Sequence, residues 1–177
     1  MRKVVLFIAM SLDGYIADKS GGVDWLNGED ENAKSVDTYS AFIKNVDTVI
    51  MGWNTYHQVV TELSPLEWPY SGLTSYIITN RTLSSSGEII FISKSPCELV
   101  QQLSQEKGKD IWICGGADII HQLMQKNLID IYYISIIPTI LGNGIPLFGP
   151  IGSELKLKLV NTQTSNGITD LIYEKRA

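Results

Sequence analysis

The feature that most constrains the fold is a set of short apolar runs that end at glycine and lead into a helix start. Residues 49–51 run into Gly52, and residues 111–114 run into Gly115 and Gly116. A third run covers residues 4–10. Strands that are apolar without alternation are typical of a parallel sheet covered on both faces. The sequence therefore predicts an α/β fold built on a mostly parallel sheet.

The remaining elements follow from periodicity and breaker residues. Strands are predicted over residues 4–10, 47–51, 75–79, 88–93, 110–114 and 130–136. Helices are predicted over residues 37–45, 54–60 and 117–126, and from the Ser95-Pro96 start signal. Residues 11–30 and 64–74 read as loops because they are rich in glycine, aspartate or proline.

The C-terminal segment has the pattern of an antiparallel hairpin and not that of buried parallel strands. Residues 156–160 alternate apolar and polar, the dipeptide Asn166-Gly167 is a hairpin-turn signal, and residues 168–173 supply the return strand. The parallel sheet should therefore carry an antiparallel C-terminal hairpin, with helices on both faces. The 177 residues suit a single domain over residues 1–177.

Composition excludes several classes of partner. The net charge is −5 with no block of like charges, so we expect no nucleic-acid partner and instead a small-molecule substrate. No apolar run is long enough to span a membrane. The two histidines, His57 and His121, lack partners at metal-ligand spacing, so no metal is assigned. The two cysteines favour reduced thiols and a cytoplasmic location.

The two glycine turns could bind a phosphate ligand. Free backbone N–H groups at a helix start, together with the helix dipole, favour anions. Two such turns at the carboxyl ends of neighbouring strands could hold a pyrophosphate between them. The structural alternative is that the glycines only make the turn while Asn54 or Thr55 only caps its helix. Neither turn matches the longer glycine-rich fingerprint of a Rossmann fold.

Five motifs along the chain resemble the dihydrofolate-reductase superfamily. In particular, they are similar to the branch that contains the riboflavin-biosynthesis reductase domain and its uncharacterised relatives. The motifs occur in family order and span nearly the whole chain: residues 5–17, 21–26, 46–52 with Thr55 and Tyr56, 113–117 and 137–148. The resemblance implies one dihydrofolate-reductase-like domain with an eight-stranded sheet, NADPH-dependent hydride transfer and a homodimer.

The resemblance also implies roles for individual residues. Ala9 and Ile16 would line the nicotinamide, and Trp25 with the loop before it would close over the reaction centre. Phe42 and Ser135 are further candidates for substrate contact. The residues implied in pyrophosphate and adenosine binding are Gly52, Asn54, Thr55, Thr79, Asn80, Arg81, Gly115, Gly116, Ala117, Asp118 and Ile119.

The sequence departs from the family pattern at the cofactor. Trp53 stands where the family has an arginine that helps to bind the 2′-phosphate of NADPH. Tryptophan offers a stacking face but no guanidinium fork. Arg81 is the nearest replacement, and its alternative is a solvated loop arginine. NADPH is therefore favoured as cofactor, with NADH not excluded.

A second departure concerns the substrate. No lysine or arginine lies between Lys44 and Arg81, where a folate-reducing enzyme would hold the glutamate tail of folate. Because an unpaired buried carboxylate is costly, a flat neutral heterocycle fits better.

The sequence offers three candidates for the residue that supplies the proton. Asp37 and Asp30 are both candidates for the family's carboxylate, depending on the length of the preceding loop, and Asp13 is a third. Each has a structural alternative as a helix-start or turn residue.

The leading hypothesis is an NADPH-dependent oxidoreductase that transfers a hydride to a C=N or imine-type bond of a small pterin-like or pyrimidine-like heterocycle. One alternative is a catalytically silent, dinucleotide-binding dimer that acts as a ligand sensor. The other is a true dihydrofolate reductase with an atypical site for the folate tail.

Overall fold

The computed structural model describes residues 1–30, 32–33 and 36–176. Within these residues the chain forms four α-helices, and a π-helical turn over Val59–Leu63 extends the second. The helices are α1 (Thr38–Ile43), α2 (Trp53–Gln58), α3 (Pro96–Gln105) and α4 (Ala117–Gln125). The strands are β1 (Val4–Ser11), β2 (Tyr15–Ala17), β3 (Val46–Gly52), β4 (Thr74–Ile78), β5 (Ile89–Ile92), β6 (Asp110–Gly115), β7 (Ile131–Ile137), β8 (Ile145–Pro146), β9 (Leu157–Ser165) and β10 (Ile168–Lys175).

Eight of the strands form one sheet in the order β5-β4-β3-β6-β1-β7-β10-β9. The first six strands in this order, β5 to β7, run parallel to one another. Strand β10 runs antiparallel to both β7 and β9. The predicted fold class, a mostly parallel eight-stranded sheet with an antiparallel C-terminal hairpin, is therefore confirmed.

Helices cover both faces of this sheet. Successive side chains of a strand point to opposite faces. On β1, Leu6 is fully buried in the apolar cluster that includes the inner faces of α3 and α4. Its neighbour Phe7 belongs to the opposite face, where its ring stacks on that of Phe42 from α1 at 4.3 Å. Two covered faces explain why the parallel strands are apolar throughout.

Three elements differ from the sequence-based expectation. Residues 11–30 were expected to form a loop, but they contain β2, which pairs with β8 in a small second sheet. Strand β9 reaches Ser165 rather than residue 160, because the hairpin pairs up to its turn, with Ile168 opposite Ser165. Helix α2 begins at Trp53 rather than Asn54, because Gly52 takes the N-cap position in an extended conformation.

The carboxyl ends of β1, β3, β6 and β7 meet at one edge of the sheet, which we call the carboxyl edge. The loop after β2 crosses this edge. Its Gly21 carbonyl accepts a hydrogen bond from Gln58 Nε2 of α2 at 2.8 Å. Further on, the Asp30 backbone N–H donates to Asn166 Oδ1 of the hairpin turn at 2.9 Å. The loop thus connects the parallel half of the sheet to the antiparallel half. In the described part of the chain, no helix has the length and apolar composition needed to cross a membrane.

Candidate functional site

The two glycine turns lie side by side at the carboxyl edge. Strands β3 and β6 are parallel neighbours, and Met51 pairs with Gly115. A methyl group built on Gly52 would stand 3.3 Å from Ile119 Cδ1 of α4, and one on Gly116 would stand 3.5 Å from Thr55 Oγ1 of α2. The first turn of each helix therefore contacts the turn that precedes the other.

Glycine is required at Gly115 by the backbone. Its φ of 145° lies in a region that side-chain-bearing residues rarely adopt. The peptide between Gly115 and Gly116 is cis. The positive φ of Gly115 turns the chain between the end of β6 and the N-cap of α4.

The N-termini of α2 and α4 have no side-chain caps. Their N-cap residues are Gly52 and Gly116, and neither helix receives a side-chain hydrogen bond at this position. Thr55 stands at the third position of α2, so neither it nor Asn54 acts as the cap that the structural alternative required. The first N–H groups of both helices therefore remain available to a ligand, and phosphate oxygens suit such donors.

Trp53 and Arg81 form a pair beside these turns. The Arg81 guanidinium carbon lies 4.6 Å from the centre of the Trp53 ring, within the range of a cation–π interaction. Thr79, directly after β4, accepts a hydrogen bond from the Arg81 backbone N–H at 3.2 Å through its hydroxyl oxygen. Since β4 pairs with β3, the segment of Thr79, Asn80 and Arg81 comes to lie next to the start of α2. The tryptophan thus orients a nearby arginine.

The residues proposed for the reaction centre lie on four different segments: β1, β2, the loop after β2 and α1. Ala9 lies near the end of β1, where it pairs with Ser135 of β7. Ile16 lies on β2 and packs against the cluster of α3 and α4. Trp25 is in the following loop and donates from its indole N–H to the Gly22 carbonyl at 3.2 Å. Phe42 is enclosed by rings: besides Phe7 it meets Trp112 edge-on at 5.5 Å.

The structure adds a residue that the sequence analysis missed. Asp170, on β10, is 8% exposed, and its Oδ1 accepts a hydrogen bond from Ser135 Oγ at 2.5 Å. The Tyr133 phenol lies close to the same carboxyl group. Burial is the largest influence on Tyr133 and raises its pKa, the hydroxyl of Thr38 lowers it, and Asp170 raises it further. The only sequence signal was the hairpin, which does not reveal which face Asp170 occupies.

The chain is similar to several known proteins. The sequence matches the RibD C-terminal domain family over residues 2–169. It is 42% identical over 176 residues to the uncharacterised protein YwjB of Bacillus subtilis (strain 168), and the match covers 97% of each chain.

The chain belongs to the RibD C-terminal domain family.

Solved structures agree with this assignment. A protein of Shewanella sp. PV-4, provisionally named as a riboflavin biosynthesis protein, superposes with a TM-score of 0.84 at 29% identity, over 99% of both chains. A diaminohydroxyphosphoribosylaminopyrimidine deaminase/5-amino-6-(5-phosphoribosylamino)uracil reductase of Thermotoga maritima superposes with a TM-score of 0.69 at 15% identity. That match covers 99% of this chain and 57% of the Thermotoga chain, and it shows a shared fold only.

Two of the three carboxylates proposed as proton sources, Asp13 and Asp37, bind neighbouring groups of the chain through their side chains. Asp13 accepts from Ser11 Oγ at 2.6 Å and from the backbone N–H groups of Leu141 and Gly142 at 3.1 and 2.8 Å. Asp37 accepts from the Ser40 backbone N–H at 2.9 Å as the N-cap of α1. Their bonds to Ser11 and Ser40, respectively, are the largest influence that lowers the pKa of each carboxyl.

These contacts favour the structural alternatives, a turn anchor for Asp13 and a helix cap for Asp37. A carboxyl group with a lowered pKa is also a poor proton donor near neutral pH. Asp30, the third candidate, binds the hairpin turn through its backbone, away from β1. The local sequence could not separate these roles, because the same aspartate pattern serves turns, caps and acids.

The Asp13 contacts generate a prediction about acid stability. A carboxyl group whose pKa is lowered on folding stabilises the fold above its unfolded pKa and loses this effect as the pH falls through the folded pKa. We expect Asp13→Asn to lower the thermal midpoint near neutral pH. The difference from the parent protein should shrink as the pH falls below the ordinary aspartate value of 3.8. Thermal unfolding followed by circular dichroism over this pH range measures both quantities.

The matched control is Asp24→Asn, which changes an exposed aspartate of the neighbouring loop. A difference between Asp13→Asn and the parent that stays constant across the pH range would show that the carboxylate does not anchor the loop in this way.

Proposed function

We propose that this chain is a reductase that binds NADPH at the paired turns and reduces a C=N or imine-type bond of a small neutral heterocycle. The observation that carries the proposal is the meeting of two uncapped helix N-termini at Gly52 and Gly116, beside Arg81. Family membership supports a pyrimidine-reductase-like oxidoreductase.

The residues fit a dinucleotide. The N–H groups that begin α2 and α4 would hold the pyrophosphate, and Thr55, which lies between the two turns, would add its hydroxyl. Backbone donors from Ala117, Asp118 and Ile119 belong to the α4 side of this cradle, and Asn54 belongs to the α2 side. When bound, the nicotinamide supplies the hydride.

Arg81 would supply the charge that Trp53 lacks. Stacking on the indole restricts the guanidinium to one region beside the α2 N-terminus, so less side-chain freedom is lost when it binds an anion. An arginine held in this way suits a monoester phosphate, which it can bind through two N–H groups. This reasoning favours NADPH over NADH.

Cofactor binding tests the central claim. We expect NADPH at millimolar concentration to raise the thermal midpoint of the protein, because a ligand that binds only the folded state stabilises it by mass action. Differential scanning fluorimetry with NADPH, NADH and ADP-ribose measures the shift. If neither nicotinamide cofactor moves the midpoint, the proposal fails. If NADPH binds but pterin and pyrimidine acceptors give no oxidation, the ligand-sensor alternative gains support.

The Arg81 contact can be tested by cofactor preference. We expect Arg81→Ala to weaken NADPH binding by about 10- to 100-fold, the loss typical of a hydrogen-bonded charge, and to leave NADH binding nearly unchanged. Titration calorimetry with each cofactor measures the ratio. The control is Arg176→Ala, an exposed arginine whose side chain donates to the Leu157 carbonyl. Equal losses for both cofactors in Arg81→Ala would remove the 2′-phosphate contact from the proposal.

We further propose that the protein is a homodimer that uses the segment of residues 137–148 as a contact. In this segment Ile140 is 70% exposed, and Phe148, which follows β8, is 46% exposed. Large apolar side chains that one segment exposes to solvent are typical of an interface. Sedimentation velocity should give the mass of two chains, and Ile140→Asp with Phe148→Asp should shift the mass towards one. A single-chain mass for the parent protein would contradict the proposal.

A further inference from the structure

Among the described residues, Asp170 is a buried carboxyl group that no cation contacts. It is 8% exposed and is the third residue of β10, close to the hairpin turn. The ion pairs within the described part of the chain involve Asp47, Asp130, Glu154 and Glu174, but not Asp170. Its neighbours are instead two hydroxyl groups, those of Ser135 and Tyr133.

Burying such a carboxyl group costs folding free energy. Its presence therefore indicates a role beyond packing. Removing a carboxylate from water without a cation carries a penalty that neutral hydroxyl donors offset only in part. Holding β7 to β10 does not require it, because the two strands already pair over residues Thr169–Glu174. An apolar pair at Ser135 and Asp170 would serve packing at lower cost. The arrangement therefore points to a group outside the chain that donates to the carboxyl.

The position of Asp170 connects it to the proposed reaction centre. Ala9, Ser135, Asp170 and Gln163 are successive partners across β1, β7, β10 and β9. Directly paired residues point to the same face, which here is the face of Phe7, two residues before Ala9. Adjacent strands are about 4.8 Å apart, so Asp170 lies roughly 10 Å across the sheet from Ala9. A ring system next to Ala9 could extend along this row.

Gln163 supplies the complementary group. Its Nε2 atom is buried and has no hydrogen-bond partner within the described part of the chain. Buried amide donors are normally satisfied, so an unpartnered one calls for an acceptor. Asp170 thus presents an acceptor, and its partner across the β9–β10 ladder presents a donor.

We propose that Asp170 and Gln163 recognise the cyclic-amide edge of the heterocyclic substrate, where a ring N–H stands beside a C=O. The ring N–H donates to the Asp170 carboxyl group, and the carbonyl accepts from Gln163 Nε2. Ser135 is a positioning residue, because its hydroxyl fixes the Asp170 carboxyl without itself meeting this edge. The inference deepens the proposed function and rests on it.

Two probes separate edge recognition from a structural role. One is 5,6-diaminouracil, which carries the N–H and C=O edge, and the other is its 1,3-dimethyl derivative, in which methyl groups replace the ring N–H hydrogens. Binding is measured by titration calorimetry on protein saturated with NADP⁺, so that no turnover occurs. We expect the parent protein to prefer the unmethylated probe by at least about tenfold, as loss of a hydrogen bond to a charged group implies.

Three variants test the residues. Asp170→Asn and Gln163→Leu should weaken binding of the unmethylated probe by about 10- to 100-fold and leave the dimethyl probe nearly unaffected, so that the preference collapses. Glu174→Gln is the control, because it changes a half-buried carboxylate of the same strand, and this carboxylate already pairs with Lys158. It should keep the preference of the parent. If Asp170→Asn fails to fold, Gln163→Leu and the parent's preference between the probes still decide the question.

Several outcomes would overturn the inference. They are a parent protein that binds neither probe or binds both equally, and Asp170→Asn and Gln163→Leu variants that retain the preference. NADPH binding is measured on every variant as well. If the probes give one of these outcomes while NADPH binding is normal, the proposed recognition of the substrate edge fails and the cofactor proposal stands. Failure of NADPH binding in the parent would instead remove the proposed function itself.

Discussion

The parallel pairing of β3 with β6 is the constraint on which the candidate site depends. Because both strands run in the same direction, both end at the carboxyl edge, where Met51 pairs with Gly115. The helices that follow must start next to each other, and their unpaired N–H groups converge. Glycine N-caps at both starts leave these donors free of side chains. The proposed anion cradle would thus be a consequence of topology and would need few particular side chains.

This dependence on topology explains how much of the molecule the sequence could predict. Parallel strands buried on both faces leave unbroken apolar runs, so β3 and β6 were visible, and the glycines after them marked the turns. The Asn166-Gly167 dipeptide identified the antiparallel end of the sheet. Strands β2 and β8 were invisible because three and two residues are too short to show any period. The N-cap of α2 was misplaced because glycine caps by conformation, without the side-chain signal of Asn54.

Side chains that meet across strands were harder to predict. Position by position, Trp53 reads as the loss of an arginine, and Arg81 reads as a loop residue. Only the pairing of β4 with β3 shows that the two stack. The sequence pattern around Asp13 and Asp37 was strong enough to make both residues candidate acids. The structure explains this pattern by the loop anchor that Asp13 forms and the helix cap that Asp37 forms. Local pattern therefore overvalued the acids that serve local structure.

Asp170, in contrast, has no local sequence pattern that would identify it as a site residue. In the segment Ile168–Lys175 its carboxylate stands among apolar and polar residues without a clean alternation, so the sequence does not say which face it occupies. Its environment is set by strand β7, which lies more than thirty residues earlier in the chain and brings Ser135 into register.

The sheet thus divides its two proposed tasks. Backbone groups at the ends of parallel strands would bind the cofactor, and side chains of the antiparallel hairpin close to its turn would bind the substrate. Backbone recognition tolerates sequence change as long as the turns keep their glycines. By contrast, each substitution in the row from Ala9 to Gln163 alters a side chain that would line the substrate site. A protein with this architecture can therefore keep its cofactor while its substrate changes.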